Sequence, residues 1–173
     1  MQQNTPKLDE TKTFGQVVLG VSRAIETMSP GDRADLRRLR PGELEPPAFW
    51  RLIAGPLAEQ FDGAGETRRA EVEAAWGVVA SAMARSGMAF DKKRSLGKAM
   101  AESDISEMRF LRLLRADVRQ LPAQAHAVAQ LLASKGQATH WIDFARLVIS
   151  ANRSDRETTR RQIARDYFSS QAK

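Results

Sequence analysis

The sequence predicts an all-α protein of two helical lobes, the C-terminal one a small four-helix bundle. Three observations lead there. Apolar residues recur at spacings of three and four almost throughout; no segment keeps the alternation of a half-buried strand; and proline, glycine and cap residues cut the chain into pieces of helical length. At 173 residues the chain can bury a core without staples. It has no cysteine, which excludes disulfides, thiolate metal sites and a cysteine nucleophile. Hydrophobic residues at 42% and charged residues at 28% fit a folded chain better than a disordered one.

The elements follow in order. Residues 1 to 12 are polar and are expected to fray. Phe14, Val17, Val18, Val21, Ala24, Ile25 and Met28 form one apolar helical face. Ser29-Pro30-Gly31-Asp32 reads as an N-cap, a proline at the first helical position and an acid in the first turn, opening a short helix through Leu39. Arg40-Pro41-Gly42 breaks it, and Pro46-Pro47 precedes an apolar segment with Phe49, Trp50, Leu52 and Ile53. A longer helix is expected over residues 67 to 86, with Val72, Ala75, Trp76, Val79 and Met83 inward and Gly87 as its cap.

Residues 88 to 95, with the cluster Asp91-Lys92-Lys93-Arg94, read as an exposed junction, which divides the chain into an N-terminal helical lobe at 1–88 and a C-terminal helical bundle at 89–173. Four helices are expected after it. The first spans about 104 to 121, where Pro122 ends it; the second spans about 123 to 134, before Lys135-Gly136. The third starts after Thr139 and carries Trp141, Phe144, Ala145 and Val148 on one face. Ser154 and Glu157 have capping-box spacing and start the last, through about 170. No run approaches the roughly 20 apolar residues of a membrane span. Met1-Gln2-Gln3-Asn4 lacks the features of a signal peptide, so the expected address is cytoplasmic.

The net charge is +6, and its distribution says more than its total. Residues 1 to 60 carry eight cations and eight anions, residues 61 to 88 three and four, residues 89 to 121 eight and five, and residues 122 to 173 eight and four. The excess belongs to the second half. Twenty of the 27 cations are arginine, the side chain suited to fixed phosphate or carboxylate contacts. On the expected 104–121 helix, Phe110, Leu111, Leu114, Val118 and Leu121 share one arc, while Arg109, Arg112, Arg115 and Arg119 fall within about 120° on another. Glu107 and Asp117 are the acids close enough to neutralise them, and Asp117 alone lies inside the run.

Other arginine groups are more ambiguous. Arg33, Arg37 and Arg40 form a stripe that Asp32 and Asp35 can neutralise, and Arg68-Arg69 stands near a helix start. Arg153, Arg156, Arg160, Arg161 and Arg165 face only Asp155, Glu157 and Asp166, with Arg156 and Arg160 placed to pack along their stems. Trp50, Trp76 and Trp141 read as core, so binding would engage the nucleic-acid backbone and ignore sequence.

Catalysis finds little support. His126 and His140 form no ligand-spaced pair, no glycine-rich phosphate loop occurs, and Glu102 and Asp104 sit where a helix start favours acids. No enzyme activity, cofactor or metal is expected. A helix-turn-helix regulator, or a purely structural adaptor whose arginines meet acidic protein surfaces, remains open on the residues alone.

The stretch from Ser95 through Leu96-Gly97-Lys98-Ala99-Met100-Ala101-Glu102-Ser103, followed by Ile105 to Asp117, closely resembles the central signature of the CasB family, the small subunit of the type I-E CRISPR surveillance complex, Cascade. Leu36-Arg37-Arg38, the segment Pro47 to Leu52, and the segment Arg160 to Phe168 agree in the same order. The resemblance implies an all-helical, two-lobed, non-catalytic subunit that lies beside a second copy of itself and other Cascade subunits along the guide RNA. It also implies a basic face that holds the R-loop, chiefly the displaced strand of the target DNA. Arg38, Arg109, Arg115 and Arg160 match the family's motifs directly, and Arg69, Arg119, Arg153 and Arg156 approximately. Relatives tend to carry basic residues in the helix after Pro122, whereas this chain has none from Ala125 to Leu132, so continuity of the basic groove there is open.

Overall fold

The computed structural model describes residues 13–40, 43, 45–61, 65–86, 93–150 and 153–172. Among them are nine α-helices, one short 3₁₀ turn at Ala58–Phe61 and no strand. The helices are α1 Phe14–Thr27, α2 Pro30–Arg38, α3 Pro47–Ala54, α4 Glu66–Arg85, α5 Leu96–Glu102, α6 Glu107–Arg115, α7 Leu121–Ser134, α8 Trp141–Ile149 and α9 Arg153–Gln171. The fold is all-α. The boundary at residue 88, Gly87 and most of the junction fall outside the described residues, as do residues 1 to 12, Pro41 and Gly42.

Local chemistry accounts for the first elements. Thr13 caps α1 in a full capping box with Gln16, and Ser29 accepts from the Asp32 amide at 3.1 Å ahead of Pro30. Helix α4 is the centre of the molecule and packs against α1, α2, α7 and α8. Its second half, from Ala75 to Ala84, is buried on every side. That is possible because Ala75, Gly77, Ala80, Ser81, Ala82 and Ala84 are small, while Trp76, Val79 and Met83 fill the gaps. The one hydroxyl in this run is satisfied, because Ser81 donates to the Leu39 carbonyl at 3.2 Å. One continuous apolar cluster joins Val17 of α1 to Tyr167 of α9, and each large side chain fully buried in it contributes about 1.5–3 kcal/mol.

Sequence reading missed α5. It is only seven residues long, and its Gly97, Ala99 and Ala101 give no periodic signal of large side chains. It packs lengthwise on α9 at very short range: a Cβ on Gly97 would lie 2.1 Å from the Ile163 carbonyl oxygen and 2.8 Å from the Tyr167 amide nitrogen. The other four C-terminal helices are present, with α5 added to them.

The helix expected over 104–121 is instead α6, ending at Arg115. Pro122 does not terminate it; it occupies the first turn of α7, where a missing N–H costs nothing. Between the two helices, the Asp117 carboxylate accepts from the amides of Arg119 and Gln120, both at 2.9 Å, and turns the chain. Val118 is therefore 61% exposed, while Leu113, absent from the expected apolar arc, is buried beside Phe110. Trp50 is also not core. It is 40% exposed, with its indole N–H donated to the Glu45 carbonyl at 3.2 Å. Ser154 lies within α9, which already includes Arg153, so it does not cap that helix. No helix among the described residues is long and apolar enough to cross a membrane.

Candidate nucleic-acid interface

Helix α6 is fixed by Phe110 and Leu113, with Leu111 and Leu114 half-buried against the core, and its arginines face outward. Phe110 stacks on Tyr167 of α9 with ring centroids 3.8 Å apart and planes within 7°, and Leu113 is fully buried. Tyr167 in turn donates to the Ile105 carbonyl at 2.7 Å, pinning the turn that leads into α6. Arg109, Arg112 and Arg115 are all exposed, with Arg112 and Arg115 on the side of the helix away from Phe110 and Leu113. They succeed one another at about 4.5 Å along the axis, from 1.5 Å per residue. Among the described residues none of the three has an ion-pair or hydrogen-bond partner, and Glu107 holds neither Arg112 nor Arg115. Arg112 and Arg115 do sit in the last turn, where the helix dipole favours cations.

Arg109 and Arg112 form one wall of an open groove of about 450 Å³ between α6 and α7. The opposite wall is Gln124, Ala127, Val128, Gln130, Leu131 and Ser134, so the floor is apolar and the α7 rim neutral and hydrogen-bonding. Arg119 does not continue this face. It is exposed in the turn after α6, because the helix stops four residues earlier.

The remaining candidates divide by what already holds them. Arg38 is exposed and pairs loosely with Asp35 at 3.5 Å. Arg69 is bound to Glu73 at 3.0 Å and lies over the Phe61 ring, so it is engaged within its own neighbourhood. Arg153 is exposed in the first turn of α9. Arg156 and Arg160 instead brace backbone. Arg156 donates to the Ser150 carbonyl at the end of α8, and Arg160 donates to the Ala116 carbonyl at the end of α6, at 2.6 Å, while pairing with Glu157 at 3.0 Å. Burial, reinforced by neighbouring Arg160 and Arg68, lowers the pKa of Arg156 below its ordinary value. Among the described residues no group of three His, Asp or Glu side chains is placed to hold a metal ion.

A second cleft, of about 410 Å³, was not legible in the sequence. It is lined by Ala34, Arg37, Arg38 and Arg40 from the α2 end, Arg85 from the last turn of α4, and Gln130 of α7. Gln130 lines both openings, so the two adjoin across α7. Arg85 had no signal of its own, because its neighbours come from segments some 45 positions away in either direction.

Against this geometry, residues 32–168 match the family of CRISPR-associated protein Cse2. The chain belongs to the Cse2 family. CasB of M. ruber superposes with a TM-score of 0.66 at 23% identity, covering 94% of this chain and 96% of that one. A Cse2-family protein from Thermus thermophilus gives 0.69 at 21% identity, covering 90% and 97%. A chain of E. coli Cascade, crystallised bound to a PAM-containing double-stranded DNA target, gives 0.64 at 26% identity, covering 89% and 95%. No curated protein matches the chain in sequence. Residues 95 to 117, which carry the sequence resemblance, are the α5–turn–α6 unit, whose glycine permits the close packing on α9 and whose arginines form the exposed face.

Proposed function

We propose that this Cse2-family chain is the small, non-catalytic subunit of a Cascade-type CRISPR surveillance complex, and that it stabilises the R-loop by arginine contacts to the backbones of the displaced and target DNA strands. The observation that carries the reading is the row of exposed guanidiniums at Arg109, Arg112 and Arg115, without partners among the described residues, on a helix held by Phe110 and Leu113. Such a row is suited to phosphates and indifferent to bases. R-loop formation is nearly balanced, so modest backbone contacts tip it. Its partners are guide RNA and target DNA, a second copy of itself and the other subunits; two copies raise the effective concentration of weak contacts. A helix-turn-helix role through α8 fits poorly, because α8 buries Trp141, Phe144, Ala145, Leu147 and Val148 and has little free face to enter a groove.

The test is co-purification with a guide-RNA complex, with stoichiometry, using wild type and the charge-reversed pair R109E and R115E. The expected result is intact assembly with impaired retention of the displaced strand. Failed assembly with strand capture preserved in whatever complexes form would make the arginines a protein contact and overturn the reading.

A further inference from the structure

The cleft at the end of α2 gathers guanidiniums that the described residues neutralise only at its rim. Arg37 donates its Nε–H to the Ala84 carbonyl at 2.8 Å, which fixes the end of α2 against the last turn of α4 and brings Arg85 beside it. Among the described residues no carboxylate lines the cleft. The acids nearby form only loose pairs on the exposed rim, Asp35 with Arg38 at 3.5 Å and Glu43 with Arg40 at 3.9 Å, and such pairs are worth little. The Arg85 Nε is buried with no hydrogen-bond partner among the described residues. Burial first, then the neighbouring charges of Arg40 and Arg37, lowers the Arg85 pKa.

The cleft also answers the missing charge on α7. Where a basic side chain on that helix would join the two ends of a groove, this chain has Gln130, with His126 one turn earlier at 2.9 Å. The guanidinium of Arg85 reaches the same place from α4. A small anion could neutralise one opening; a linear polyanion neutralises both, because they adjoin at Gln130.

We propose that Arg85, with Arg37 and Arg40, seats a phosphodiester of a single nucleic-acid strand and continues the α6 track across Gln130 onto the N-terminal helices. This rests on the nucleic-acid reading above and adds to it a residue, a direction and a length. The strand runs from Arg112 and Arg109 over the α7 amides to Arg85, and binding needs enough nucleotides to span both openings.

The experiment measures fluorescence anisotropy of labelled oligothymidylates of increasing length on the full chain, across a sodium chloride series. Wild type is expected to gain affinity with length up to a plateau. R85Q should lower the log–log salt slope by about 0.7, the loss of one phosphate contact, and bring the plateau to shorter strands. R85K should retain most of the slope, and thermal melting of each variant reports whether the fold is intact. R85Q with the wild-type slope and plateau, while R109E/R112E weakens binding, overturns this inference alone. Salt-insensitive wild-type binding, or none at any length, overturns the nucleic-acid reading with it. Displacement by polyglutamate as effective as by oligothymidylate would assign the cleft to an acidic protein instead and overturn the proposal.

Discussion

Arg160 of α9 donates to the carbonyl of Ala116 at 2.6 Å, closing the C-terminal end of α6 from a helix 44 positions along the chain. Ala116 is the cap residue of α6, where carbonyls have no partner inside the helix. The guanidinium is held at its other side by Glu157, and the side chain is only 18% exposed. The arginine face is therefore rigid because a different arginine is spent holding it.

That bond sets the first prediction. Arg160→Met keeps the stem and removes the donors, leaving a carbonyl and Glu157 without their partner. The expected cost is about 1–3 kcal/mol. That corresponds to a melting temperature lower by roughly 2–4 °C per kcal/mol for a chain of this size. Strand affinity should fall only as far as α6 loosens, with the salt slope unchanged. A slope reduced by a full phosphate contact, with the melting temperature unmoved, would show that Arg160 meets nucleic acid directly.

The exposed row behaves in the opposite way. Arg109, Arg112 and Arg115 make no internal bonds among the described residues, so their replacement by alanine should leave the melting temperature within a degree or two. Wild type should bind any strand with a log–log salt slope near −4, if about six phosphates are neutralised at roughly −0.7 each. The triple variant should lose about half of that slope. An unchanged slope in the triple variant would remove α6 from the interface.

These two cases show what the sequence could and could not disclose. Helices α1, α4 and α8 were legible because each carries large apolar residues at helical spacing, and α2 because Ser29, Pro30 and Asp32 mark its start; α1, α2 and α4 begin at or within a residue of the expected position. The exposure of Arg109, Arg112 and Arg115 followed from the same spacing, because burying Phe110 leaves those angles outside. Helix α5 was hidden because its packing rests on what Gly97 lacks. The end of α6 was misplaced because Pro122 is as good a second residue as it is a terminator, and the decision fell to the Asp117 carboxylate. The spacing showed Arg160 placed to pack along its stem but not the bond its head makes, since its acceptor is a backbone carbonyl 44 positions away. Arg85 was invisible for a related reason: its significance comes from Arg37, Arg40 and Gln130, which only the packing of α2, α4 and α7 brings together.

Gly97 makes the strongest stability prediction. The Cβ of Gly97→Ala would stand 2.1 Å from the Ile163 carbonyl oxygen and 2.8 Å from the Tyr167 amide nitrogen, both backbone atoms inside a 19-residue helix. No side chain can rotate out of the way, so α5 must separate from α9. The cost should exceed the 1–3 kcal/mol typical of overpacking. Moving α9 also disturbs the Phe110–Tyr167 stack, so loss of near-ultraviolet circular dichroism should accompany the fall in melting temperature. A variant melting like wild type would mean that the two helices do not approach this closely.

The last prediction concerns pH and the seam between the two openings. His126 packs one turn before Gln130 and is bonded to it at 2.9 Å; its pKa is lowered from 6.5 first by burial, then by the charges of Arg85 and Arg40. The folded protein therefore binds this proton less readily than the unfolded chain does. As pH falls through 6.5 the unfolded state takes up the proton first, so stability declines from there until the pH reaches the lower folded value. Above 6.5 His126 contributes no pH dependence. His126→Gln should flatten this part of the melting-temperature profile between pH 8 and 5, and Arg85→Gln should reduce the decline by removing one source of repulsion. A phosphodiester seated beside Arg85 and Arg40 offsets the same repulsion. Adding oligothymidylate should therefore raise the His126 titration midpoint, followed by the imidazole proton resonances, and strand binding should take up protons just below neutral pH. A midpoint in the free protein at or above 6.5 would show that His126 does not feel the arginine cleft, and one that strand leaves unmoved would place the strand elsewhere.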